Sequence, residues 1–428
     1  MTILISLLLL ILVAQDNLIA LTGLDFLSYF DEFLTIIFLF TALFSIKKRK
    51  NHNKLIPKLL ILLVVFMFMG IISCAINSNF VPKNVIMSCF LSIKFWLIIF
   101  ATSTISINRK MLNQLYKCLF VVEKIVIVVA LINLLFLNFY ITLFPASHIT
   151  HRLGMVAICS TFNHPGKYGW FMLFCALAHL SRYHKTKDKR EIKNIIISVL
   201  ACLLSLRTKV ILGVVICAFG YLFFTKREIF KRQIKKIAIF ALLTLCLLVP
   251  FKETLSKTYT LYFTDAEGYS VRQALMDNSI KIIKDYFPLG VGFGKYGTWY
   301  ASRDYSEYYF KYGMNNMYGM TSDNTSYATD TFWPAIFGET GALGSLVFIT
   351  MLFIQLKQLI KNSQKSDEEI SDIALFAPLA LIQVIAESFG SASFSSPPEY
   401  FFVAFIIGIS LAANNCITKE GVKENEEN

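Results

Sequence analysis

Charge is scarce in this sequence. Lys, Arg, Asp and Glu make up 16% of the chain, against 56% hydrophobic residues. A soluble domain covers itself with roughly 25% charged residues. With so few charges, much of the surface of these 428 residues must face lipid. The apolar runs also lack the alternation of a membrane barrel, so they read as helices. The nine cysteines contain no CxxC, and Cys74, Cys89, Cys202, Cys217 and Cys246 lie inside apolar runs. That excludes a metal or redox pattern and leaves them as small hydrophobes. No Lys or Arg precedes the apolar run 2–14, and no small-residue cleavage site follows near Gln15 and Asp16. The run reads as a retained first helix rather than a signal peptide.

What is present is length in the right places. A helix needs about 20 apolar residues to cross the hydrocarbon. Twelve segments qualify, centred near residues 12, 38, 66, 93, 130, 172, 199, 217, 242, 343, 381 and 406. The expected fold is an all-α polytopic membrane protein of about twelve spans. Its parts are N-terminal helices (1–140), helices with outer-face arginine motifs (141–250), a large loop (251–329), C-terminal helices (330–415) and a tail (416–428).

Orientation follows from the cations. KKRKNHNK, RYHKTKDKR and TKREIFKRQIKK follow spans two, six and eight, and Arg109, Lys110, Lys357, Lys361, Lys365 and Lys419 add to the same side. The positive-inside rule places that side, and both termini, in the cytoplasm. It also accounts for the net charge of +13 without nucleic acid. The loop 251–329 then lies outside. It balances eight Lys/Arg with eight Asp/Glu and holds twelve of the nineteen tyrosines. Loops of this length are usually functional. The spacing from Ser270 predicts an amphipathic helix ended by Pro288 and Gly290. The loop's rings suit either the headgroup zone or the faces of sugars.

Three cations escape the positive-inside rule: Arg152, Arg207 at a tight turn, and Arg272. Together they suit a phosphate or diphosphate, because a guanidinium makes two charge-assisted bonds at once. Singly, each reads as an interfacial anchor or surface ion pair. Gly292, Gly294 and Gly297 match GxGxxG, but no strand precedes them, so a dinucleotide site is rejected. They are a turn, or a close approach to a sugar or phosphate. Asp330, at the start of span ten, is a helix cap or a general base. Glu339 is a buried structural carboxylate or a substrate contact. His148, His151 and His164 share one loop without metal spacing; His151 and His164 are candidates to orient a hydroxyl or phosphate. Lys94 lies within a span. It pairs with Glu123 or reaches a lipid phosphate.

Four segments stand in a telling order: HRLGMVAICSTFNHPGKYGWF, SLRTKVILG, VRQALMDNSIKIIKDYFPLGVGFGKYG and TDTFWPAIFGETGALGSL. Over residues 140–355 the chain resembles the O-antigen ligase and polymerase superfamily, of the Wzy and WaaL type. The resemblance implies a metal-independent glycosyltransferase with no cofactor, acting at the outer face of the bacterial cytoplasmic membrane. It implies a glycan donor on undecaprenyl diphosphate, and it maps the diphosphate-binding arginines to Arg152, Arg207 and Arg272. A flippase and a chain-length regulator are the protein partners it implies. Ligases of this family carry His nine residues before the Glu of span ten. Here that residue is Asp330, which favours a polymerase. A ligase, or a lipid-linked oligosaccharide transporter, stays as an alternative; the two halves show no repeat of the kind transporters carry.

Overall fold

The computed structural model describes residues 2–46, 55–77, 80–152, 154–225, 270–366 and 369–426. The chain is an all-α polytopic membrane protein. Its helices are α1 (Thr2–Thr22), α2 (Phe30–Ile46), α3 (Leu55–Asn77), α4 (Pro82–Ser103), α5 (Arg109–Leu135), α6 (Leu137–Leu143), α7 (Pro165–Thr186), α8 (Lys189–Leu203) and α9 (Thr208–Thr225). Then come α10 (Val271–Asp285), α11 (Trp299–Arg303), α12 (Glu307–Lys311), α13 (Trp333–Lys365), α14 (Ser371–Glu387) and α15 (Glu399–Glu426). A two-residue hairpin, β1 (His151–Arg152) and β2 (Met155–Val156), is the one sheet among the described residues.

Eleven of the twelve expected span centres fall inside helices, and the centre at 242 lies outside the described residues. Among the described residues, seven helical segments are long and apolar enough to cross a membrane. Helices α7, α8, α14 and α15, which hold the other four centres, are shorter or more polar. For α7, α14 and α15 the reason is their position. Helix α7 packs on α5, α8, α9, α14 and α15, and nearly every residue from Pro165 to Ala178 is buried. A helix sheathed by other helices need not be apolar to lipid and can hold polar groups.

Start signals are local. Asn108 caps α5 by accepting the Met111 N–H at 2.9 Å, and Asp188 caps α8 by accepting that of Arg190 at 2.9 Å. Proline opens α4 and α7, where its missing N–H is not needed. The helices run back and forth, so their ends form two separate faces. At one, Arg109 makes a two-armed bond to Asp372 at 2.8 Å, and Lys185 donates to the Glu369 carbonyl. At the other, Asn17 donates to the Thr161 carbonyl at 3.1 Å, Asn77 to that of Gly290 at 2.9 Å, and the Phe332 N–H to that of Ser388 at 3.3 Å.

The described part of the large loop, from Ser270, sits on this second face. Ser270 caps α10 through the Gln273 N–H, matching the expected amphipathic helix. Leu275, Ile282, Val291, Tyr296, Tyr309 and Met320 form a second small core. Tyr296 and Tyr309 are therefore core residues, while Trp299, Phe310 and Tyr318 stay exposed.

The glycine run forms a turn packed against α3 and α4. Gly292 and Gly294 meet no cavity. A Cβ on Gly292 would lie 2.3 Å from the Cα of Cys74 on α3, and one on Gly294 would crowd Ser88 and Asn84 on α4. Helix α13 breaks at Gly341, whose φ is 63°. There the loop replaces the missing helix bonds. The Val291 and Gly292 N–H groups donate to the Gly338 and Glu339 carbonyls at 2.9 and 2.8 Å, and the Leu343 N–H donates to the Pro288 carbonyl at 3.2 Å. The two motifs PLGVGFG and ETGALG are thus two halves of one joint, which needs glycine because backbone lies against backbone.

Gly341→Ala sets a Cβ 2.1 Å from the Leu289 carbonyl carbon, at a φ that alanine rarely adopts. The expected loss is about 2–4 kcal/mol of stability, from backbone strain and overpacking together. Thermal unfolding in detergent reads it as a lower midpoint. An unchanged midpoint would mean the loop withdraws freely.

Candidate active site

On the face opposite the Arg109–Asp372 pair, five segments of chain enclose a cavity of about 780 Å³. They are the hairpin and start of α7, the α8–α9 turn, the start of α10, the residues before α13, and the stretch between α14 and α15. Arg152, Arg207 and Arg272 all line it, as do His164 and Asp330. These five residues come from four separate stretches of the sequence, and the alternation of the helices brings them to one place.

Each is positioned by its own local device. Arg152 stands on the β1–β2 hairpin. Arg207 follows Leu206, whose φ of 51° is left-handed. That conformation costs a non-glycine residue roughly 1–2 kcal/mol, and here it turns the chain between α8 and α9. The Arg207 Nη2 donates to Thr150 Oγ1 at 3.2 Å. Arg272, in the first turn of α10, donates through Nε to one oxygen of Asp330 at 2.9 Å, and its Nη2 pairs with the same oxygen at 2.8 Å. Asp330 is therefore not a helix cap; Phe332 holds that position on α13.

His164 caps α7, its Nδ1 accepting the Gly166 N–H at 3.0 Å. Burial first, then the Arg207, Lys209 and Lys167 charges, hold its imidazole down to about 3. It is neutral at physiological pH, and because Nδ1 accepts, its proton sits on Nε2. Lys209 and Lys167 also line the cavity. Lys209 pairs with Glu387 at 2.5 Å, and Lys167 with Asp16 at 3.1 Å. The lysines are thus matched by carboxylates behind them. Among the lining residues, five Lys/Arg face three carboxylates, Asp277, Asp330 and Glu399. Such a cavity suits an anion gripped by guanidinium forks.

Five expected candidates do not reach the cavity. His151 is exposed and does not line the cavity. Gly292 and Gly294 belong to the joint with α13. Glu339 is buried and clamps that joint. One of its oxygens accepts the Lys295 and Tyr296 N–H groups at 2.9 and 3.2 Å and the Thr298 hydroxyl at 2.9 Å. Lys94 is not paired with Glu123. It lies 2.8 Å from Asp31 and 2.6 Å from Glu32, over the Tyr400 ring. Glu123 instead bonds His179 at 2.9 Å and accepts from the Ser198 hydroxyl. Sequence spacing could not reveal these pairs, because the partners sit on different helices. Lys167, Lys209 and Glu399 were missed for a similar reason: each looks like an ordinary helix-start residue until the bundle closes. SSPPE, a proline pair opening a helix, was the one signal near Glu399.

The His164 geometry sets a pH dependence. Its folded pKa lies below the unfolded value, so between about pH 6.5 and pH 3 the unfolded chain binds the extra proton. Stability tied to this group is complete above the unfolded value and falls as pH drops through that window. His164→Asn keeps a good cap and is expected to flatten the fall in thermal midpoint between pH 7 and pH 4. Parallel curves for the two proteins would remove His164 from that window.

Residues 194–349 match the family model described as O-antigen ligase. The matched segment holds Arg207, Arg272, Asp330 and both halves of the α13 joint, and it leaves Arg152 and His164 outside. No curated protein matches the chain. Over this segment the chain is similar to the O-antigen ligase family, which supports the resemblance to the O-antigen ligase and polymerase superfamily.

Proposed function

We propose that this chain polymerises lipid-linked polysaccharide repeats. It moves a growing glycan from undecaprenyl diphosphate onto a hydroxyl of an incoming lipid-linked repeat. The observation that carries the reading is the convergence of Arg152, Arg207 and Arg272 on one cavity. The positive-inside rule supports placing the Arg109 and Lys185 end in the cytoplasm. The cavity then opens outside, where lipid-linked donors are displayed in a bacterial cytoplasmic membrane.

The chemistry follows from the charges. The acceptor oxygen attacks the anomeric carbon as the bond from that carbon to the diphosphate breaks. Negative charge grows on the leaving diphosphate, and preorganised guanidinium groups stabilise it there. The leaving group is already activated, so neither a nucleotide nor a metal is required. Asp330 holds Arg272 through the Nε hydrogen bond and the Nη2 ion pair, so its role in this reading is to aim that arginine. Neutral His164, with its proton on Nε2, offers a donor to a sugar or phosphate oxygen. A ligase would use the same donor and differ in the acceptor. Asp330, where family ligases carry His, favours the polymerase.

Deleting the gene and sizing the surface glycan and its lipid-linked precursors tests this. The expected result is single repeats with no long chains. Restoring the gene with Arg207→Ala is expected to leave the defect in place at normal membrane levels. Long chains stranded on the lipid would instead indicate a ligase. No change in either pool would sink the reading.

A further inference from the structure

One oxygen of Asp330 is committed to Arg272, and Asp277 and Glu399 are the other carboxylates lining the cavity. Glu399 is the first residue of α15. It is 3% exposed, and its Oε2 has no hydrogen-bond partner among the described residues. A buried polar atom left without a partner is costly, and in native structures it calls for an explanation. The charges that act on Glu399 come from three packed elements: Lys167 on α7, Lys209 on α9 and Glu387 on α14. Each lysine already holds a nearer carboxylate, Asp16 or Glu387. Those pairs keep the lysines from closing onto Glu399. A carboxylate that lines the cavity, and whose Oε2 no described group satisfies, is placed to meet a hydroxyl brought by a ligand.

We propose that Glu399 is the base that takes the acceptor's proton, an assignment that rests on the transfer reaction proposed above. The hydroxyl oxygen forms its bond to the anomeric carbon and gives its proton to the Glu399 carboxylate. The bond between that carbon and the diphosphate oxygen breaks, and its electron pair leaves with the diphosphate. Arginines and carboxylate thus divide the cavity: one group meets the charge that leaves, the other the proton that is released.

The test uses the full-length protein in lipid nanodiscs, with lipid-linked repeats extracted from a strain lacking the gene. General bases contribute typically 10²–10⁴-fold. Glu399→Gln is expected to slow transfer by at least about 100-fold. Its binding of undecaprenyl diphosphate should stay within about twofold of wild type, a change of under half a kcal/mol. Arg207→Ala is expected to lose that binding. Glu399→Ala with added formate is expected to regain part of the rate, which a merely structural residue would not allow. Should the Gln variant fail to reach the membrane, Glu399→Asp keeps a carboxylate and is expected to retain measurable transfer. Wild-type turnover in the Gln variant, no formate rescue in a well-folded Ala variant, or an inert well-folded Asp variant would overturn the assignment alone. No transfer by the wild-type protein would overturn it together with the reaction it serves.

Discussion

A charge held between membrane helices must find its partner inside the protein, because lipid offers none. The interior of this bundle is organised by that demand. Lys94 ties α4 to the start of α2 through Asp31 and Glu32, and Tyr400 of α15 donates to the same Asp31 oxygen at 2.8 Å. His179 of α7 bridges Glu123 on α5 and Glu191 on α8, at 2.9 and 2.6 Å, while the Phe120 ring stacks on it. Losing one partner of such a set leaves an uncompensated buried charge, a cost of roughly 3–5 kcal/mol. These networks therefore fix which helices are neighbours, and the apolar side chains fill around them.

The same demand applies to backbone, and it shapes the joint beneath the site. A broken transmembrane helix exposes carbonyls that must be satisfied. In α13 the donors come from the glycine run, and Glu339 collects the next N–H groups of that run. The joint anchors the large loop to the bundle just below α10. Arg272 is thereby held over the cavity by a chain of contacts that begins at a helix break. Glu339 serves the site without reaching it.

The cavity is built from turns and helix starts, while the helices supply rigidity. Its five walls come from connections that share nothing in sequence except the face they emerge on. Leu206 shows what the arrangement demands: a left-handed leucine, tolerated because α8 and α9 on either side over-determine the turn.

Fold class was legible because lipid imposes a simple length rule on apolar runs, and eleven of the twelve span centres lie in helices. The arginines stood out because cations away from the positive face require an explanation. Helix α10 was readable from local spacing and its Ser270 cap. Other residues carried two readings for one physical reason. Lys94 and Glu339 read as possible ligand contacts, and Gly292 and Gly294 as possible sugar approaches, since sequence does not say which helix will lie opposite. Glu399 was silent because an acidic residue at a helix start resembles any cap. The sequence by itself determined that the chain is a helical membrane protein, and it singled out the three arginines that gather at the cavity. Only the tertiary structure decided which charges neutralise one another in the interior and which are left at the cavity, because pairing depends on distances across helices that sequence separation does not measure.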